Sequence, residues 1–67
     1  MKEFKKVMIK KRKDMNISRY RLAKLTGITE ANIYNYEAGR TDKMFLSTAV
    51  KIATVLDIDL NKLKGGN

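Results

Sequence analysis

The sequence predicts an all-α domain of five short helices. Apolar residues recur at helical spacing in each segment, and Ser or Thr stands before two segments that end at glycine. No stretch shows the sustained period-two alternation of a half-buried strand. The chain of 67 residues is read as one domain, 1–67, with a core spanning about 4–63 and a tail at 64–67 that is expected to fray. A domain this short buries only about 60% of the surface its unfolded chain exposes, which leaves little room for a deep pocket.

The elements follow in order. In residues 2–14, Phe4 and Met8 lie four apart, with Lys11, Arg12 and Met15 further along the same side. That is a narrow apolar stripe, with Val7 and Ile9 beside it and five lysines over most of the remaining surface. Asn16 offers a turn. Ser18 is a suitable N-cap for a second helix over 19–26 bearing Leu22, Ala23 and Leu25, and Gly27 supplies its stop. Thr29 caps a third helix, with Glu30 in the first turn, where the helix dipole favours negative charge. Ile33 and Tyr36 share one face of it, and Ala31, Asn32, Tyr34 and Asn35 look outward, until Gly39 ends the helix. A polar, basic connection over 40–44 leads to the segment 45–56, whose Leu46, Ala49, Val50, Ile52, Ala53, Val55 and Leu56 predict a centrally packed helix. Asp59 is placed to cap a last short helix bearing Leu60 and Leu63.

Charge narrows the function. Fifteen Lys and Arg against seven Asp and Glu give +8, of which residues 1–43 carry +7. A field of one sign on part of a small domain attracts polyanions: nucleic acid first, an anionic membrane surface next. The plainer alternative is a solubilising excess. Without cysteine or histidine there is no disulfide framework, no thiolate zinc site and no Cys–His or Ser–His pair. The few carboxylates form no paired or metal-like arrangement, so no enzymatic activity, metal, cofactor or small-molecule ligand is expected. No apolar run approaches the roughly 20 residues of a membrane span, and the charged N-terminus lacks the core of a secretory signal. A cytoplasmic, nucleoid-associated protein is expected.

Two short helices joined through a glycine-containing turn, the second capped by Thr, form a helix-turn-helix pattern over 18–37. Ala23 is small where the helices cross, Gly27 permits a tight reversal, and Ile28 and Ile33 fill the wedge. The ordered set Leu22-Ala23, Gly27, Ile28, Thr29, Ile33 and Glu37-Ala38-Gly39 resembles the Cro/repressor helix-turn-helix family, also called the XRE family. Lys51-Ile52-Ala53 and Leu56 resemble the family's fourth helix, and Ile58 with Asp59-Leu60-Asn61-Lys62-Leu63 resembles its fifth. The resemblance implies a compact five-helix, lambda-repressor-like fold whose recognition helix, about 30–37, enters the major groove. It further implies a sequence-specific regulator of transcription acting on double-stranded DNA, a repressor in the first instance. The alternative is an antitoxin or accessory regulator that binds a protein partner as well as DNA. A structural salt bridge between Arg12 and Glu37 is implied by the same resemblance. Three features depart from the family pattern: Arg19 where Gln is common, Glu30 and Ala31 early in the recognition helix, and a connection at 40–45 that is one residue longer and lacks proline.

On this basis Thr29, Glu30, Ala31, Asn32, Tyr34 and Asn35 form the surface expected to meet bases. Asn35 leads, because its amide can pair bidentately with adenine N6 and N7. Glu30 either accepts from a cytosine N4 or serves only the helix dipole, and Ala31 suits a thymine methyl. Asn32 and Tyr34 have phosphate or sugar as alternative partners. Ser18, Arg19, Lys10, Arg40, Thr41 and Lys43 are expected on backbone phosphates, which position without specifying. The expected target is a pseudo-palindromic operator bound by a homodimer, with Ile58, Leu60 and Leu63 as the candidate dimer surface.

Overall fold

A computed structural model describes residues 2–41 and 44–62, with the side chain of Lys2 left out. Four α-helices follow one another: α1 at Lys2–Asp14, α2 at Arg19–Thr26, α3 at Glu30–Ala38 and α4 at Leu46–Leu56. The described residues include no strand.

The helices end and restart where local chemistry dictates. Ser18 Oγ accepts from the Arg21 amide at 3.0 Å, and Thr29 Oγ1 accepts from the Asn32 amide at 3.2 Å, so each satisfies one of the open donors of its helix. Gly27 and Gly39 close α2 and α3 in the left-handed region, at φ 78° and 74°, where a β-carbon would strain the backbone. The Thr26 hydroxyl stitches the turn between α2 and α3, donating to Leu22 O at 2.8 Å and accepting from the Ile28 amide at 3.2 Å. Two non-glycine residues also take positive φ, Asn16 after α1 and Asp57 after α4. Each lies where the next residue's amide reaches back to the helix: Ile17 N–H donates to Arg12 O at 3.2 Å, and Ile58 N–H to Ala53 O at 2.8 Å. An aspartate in this conformation carries some strain that glycine lacks. Asp57→Gly is therefore expected to stabilise the fold by about 0.5 kcal/mol, roughly 2–4 °C in the thermal midpoint, measured by circular dichroism.

The core is one cluster to which all four helices contribute. Phe4 and Met8 from α1, Leu22 and Ala23 from α2, Ile33 from α3, and Ala49, Ile52, Ala53 and Leu56 from α4 are buried together, closed by Ile58. Val7, Ile17, Ile28, Tyr36, Met44, Val55 and Leu60 pack against its edge. The predicted wedge of Ile28 and Ile33 beneath a small Ala23 is thus part of this cluster.

Several expectations require correction. The last segment is no fifth α-helix among the described residues. Leu60–Lys62 makes a single 3-10 turn, closed by Lys62 N–H to Asp59 O at 3.1 Å, with Asp59 Oδ1 accepting from the Asn61 amide at 2.9 Å. Leu63 and the tail at 64–67 lie outside the described residues. Ile58, expected on a dimer surface, is buried in the protomer's own core, and Leu60 is partly buried against it. α4 is central along one stripe only. Ala49, Ile52, Ala53 and Leu56 face inward at helical spacing, whereas Phe45 is 81% and Leu46 72% exposed, and Val50 is exposed as well. Met15 and Leu25, placed with apolar stripes by their spacing, are also exposed: Met15 lies beyond the end of α1, and Leu25 faces away from the stripe of Leu22 and Ala23.

Candidate nucleic-acid interface

α3 is held by one side and presented by the other. Ile33 is fully buried and Tyr36 packs on the core edge, one helical turn apart. Thr29, Glu30, Ala31, Asn32 and Tyr34 are exposed, and Asn35 is half-buried. The end of the helix is pinned from its own backbone: Arg40 N–H donates to Asn35 O at 2.9 Å and Gly39 N–H to Tyr36 O at 3.3 Å.

An ion cluster fixes α3 to α1. Arg12 Nε donates to Glu37 Oε2 at 2.7 Å and Arg12 Nη2 to Glu37 Oε1 at 3.0 Å, a two-pronged pairing of guanidinium and carboxylate. Arg12 Nη1 donates to Ile17 O at 2.9 Å, which ties the same side chain to the segment entering α2. The Arg12 and Glu37 side chains are only 10% and 5% exposed. Both carboxylate oxygens are engaged, and among the described residues no buried side-chain polar atom lacks a partner. The expected bridge is therefore present, and it is nearly buried, so it acts as a strut between α1, the α1–α2 connection and α3.

A second arginine joins it. Arg19 Nη1 donates to Glu37 Oε1 at 3.1 Å, while its side chain stays 40% exposed. The guanidinium carbon of Arg19 also sits 5.3 Å from the centre of the Tyr34 ring, and that of Arg40 sits 5.9 Å from it. Neither link was legible from the sequence. The pairs 19–37 and 19–34 are distant along the chain, and only the crossing of α2 and α3 brings them together.

The remaining predicted residues fall into place unevenly. Ser18 is at the exposed start of α2, its hydroxyl occupied as a cap. Arg40 is exposed and Thr41 half-buried just beyond α3. Lys10 is paired with Asp14 at 2.9 Å on the exposed side of α1, so a phosphate would have to compete with that carboxylate. Lys43 lies outside the described residues. Among the described residues no group of His, Cys, Asp or Glu is placed to hold a metal, and no helix is long and apolar enough to cross a membrane.

A family model for the Cro/C1-type HTH DNA-binding domain matches residues 5–63. The chain belongs to the Cro/C1-type HTH family. No curated protein and no solved structure matches the chain significantly. As a Cro/C1-type HTH domain it is a DNA-binding regulator, with α2 and α3 as its helix-turn-helix.

Proposed function

We propose that this protein is a sequence-specific repressor that lays α3 in the major groove of double-stranded DNA and acts by occluding a promoter. One observation carries the reading. α3 is anchored through Ile33 and Glu37, leaving an uninterrupted outer face of Thr29, Glu30, Ala31, Asn32, Tyr34 and Asn35, flanked by Arg19 and Arg40. A helix fits a major groove about 12 Å wide, where each base pair shows a distinct pattern of donors and acceptors. The outer face is neutral to acidic, with the arginines at its margins. Attraction to phosphate and reading of bases thus fall on different side chains, as a specific binder requires.

The functional unit is proposed to be a two-fold dimer on a pseudo-palindromic operator, with Ser18, Arg19, Arg40 and Thr41 on the phosphates. Ile58 is committed to the protomer's core and is no longer part of the proposed contact.

Selection of bound sequences from a random duplex pool tests the reading. The expected result is one enriched motif in two inverted halves, centred about 34–36 Å apart along the duplex. Enrichment of no sequence would remove the claim of specificity. A single unrepeated half-site, with only monomer in sedimentation with and without that duplex, would remove the dimer.

A further inference from the structure

We propose that Tyr34 is a stacking post that holds the guanidinium groups of Arg19 and Arg40 ready to grip the DNA backbone, and so sets the strength of phosphate contact rather than the reading of bases. The inference rests on the DNA-binding reading above and departs from the expected base-contacting role of Tyr34.

The ring gathers cations from two separate elements. Arg19 is the first residue of α2, and Arg40 follows the turn that closes α3. Their guanidinium carbons lie 5.3 and 5.9 Å from the ring centre, within the range where a cation is drawn to the aromatic face. A stacked guanidinium uses its flat face for the ring and keeps its in-plane N–H donors for other partners. Arg19 donates through Nη1 to Glu37 at 3.1 Å, which leaves its other donors available. Arg40 is exposed.

The charges decide which partner the pair would take. The single Glu37 carboxylate is shared between Arg12 and Arg19, so the three side chains together keep one net positive charge, and Arg40 adds another beside the ring. Two like charges held to one ring repel each other, and an anion reaching both relieves that repulsion. A phosphate diester is such an anion and accepts from the guanidinium fork. Lys13 adds a further cation at the shallow depression beside Arg19 and Tyr34. Ordering the two long side chains beforehand lowers the entropy lost on binding.

The test compares wild type, Tyr34→Phe and Tyr34→Leu on the selected duplex and on a random duplex across a salt series. Tyr34→Leu is expected to weaken both duplexes by about tenfold at low salt, the order expected from two such contacts, and to flatten the salt dependence by roughly one phosphate contact. Tyr34→Phe, which keeps the ring and loses the hydroxyl, is expected to stay within about twofold of wild type. Proton NMR of the free proteins gives an independent readout: upfield ring-current shifts on the Arg19 and Arg40 side chains in wild type and Tyr34→Phe, lost in Tyr34→Leu. Circular dichroism confirms that each variant folds. A loss with Tyr34→Phe as large as with Tyr34→Leu overturns the proposal, since the hydroxyl would then make the contact. So does a loss confined to the selected duplex, an unchanged salt slope in Tyr34→Leu, or the absence of ring-current shifts in wild type. If wild type binds neither duplex, the DNA reading fails and the phosphate role with it, and the ring-current shifts then report on the stacking alone.

Discussion

Glu37→Gln is expected to destabilise the fold by about 3 kcal/mol or more, the range for breaking one side of a nearly buried ion pair. The carboxylate of Glu37 receives three N–H donors from two arginines and is 5% exposed. Arg12 is similarly enclosed, so neutralising Glu37 leaves a guanidinium with little water to solvate it. A domain of this size holds roughly 3–10 kcal/mol in total, so the variant is expected to sit near its unfolding midpoint at ambient temperature. Urea unfolding followed by circular dichroism measures the effect. A control separates the pair from the stranded charge: the double variant Arg12→Met with Glu37→Met removes both charges and should recover much of the loss. A drop below about 1 kcal/mol for Glu37→Gln would mean that the pair behaves as an exposed one and that α3 is held by Ile33 and Tyr36 alone.

The strut also shows which parts of the molecule are written locally in the sequence. The bounds of α2 and α3 were legible because Ser18, Gly27, Thr29 and Gly39 act through their own backbone neighbours. The inward side of α3 was legible from Ile33 and Tyr36, and the outward side followed by elimination. The Arg12–Glu37 pair came only with the family resemblance, since nothing in the local pattern joins residues so far apart. The α4 segment misled for a physical reason. Its apolar residues outnumber the positions that the core can take: Ala49, Ile52, Ala53 and Leu56 are buried and Val55 packs at the edge, whereas Phe45, Leu46 and Val50 are exposed. The end of α4 falls at Leu56, as the apolar spacing predicts, but the way it closes carried no sequence signal. Asp57 takes a left-handed conformation that glycine normally supplies, and its identity did not announce a stop. Arg19 and Tyr34 were each placed near DNA, yet their mutual contact depends on how α2 crosses α3, which spacing along the chain does not encode.

Base reading makes a prediction of opposite character. Asn35→Ala is expected to reduce discrimination between the selected duplex and a random one by roughly 5- to 150-fold, the span for one bidentate amide–adenine pairing. Affinity for the random duplex and the salt slope should both hold, because no phosphate contact is removed. The fold should tolerate the change. The backbone carbonyl of Asn35, which accepts from Arg40, is retained, and alanine favours the helix more than asparagine does. Asn35 and Tyr34 are adjacent in the chain but differ in surroundings: Tyr34 is exposed beside two arginines, and Asn35 is half-buried. The two variants therefore form a crossed test. Tyr34→Leu should shift both duplexes together and alter the salt slope, whereas Asn35→Ala should part the duplexes at constant slope. If Asn35→Ala instead weakens both equally, Asn35 supports the close of α3 rather than reading a base, and the reading must rest on Glu30, Ala31 and Asn32 in the first turn of the helix, where the axis points most directly into the groove.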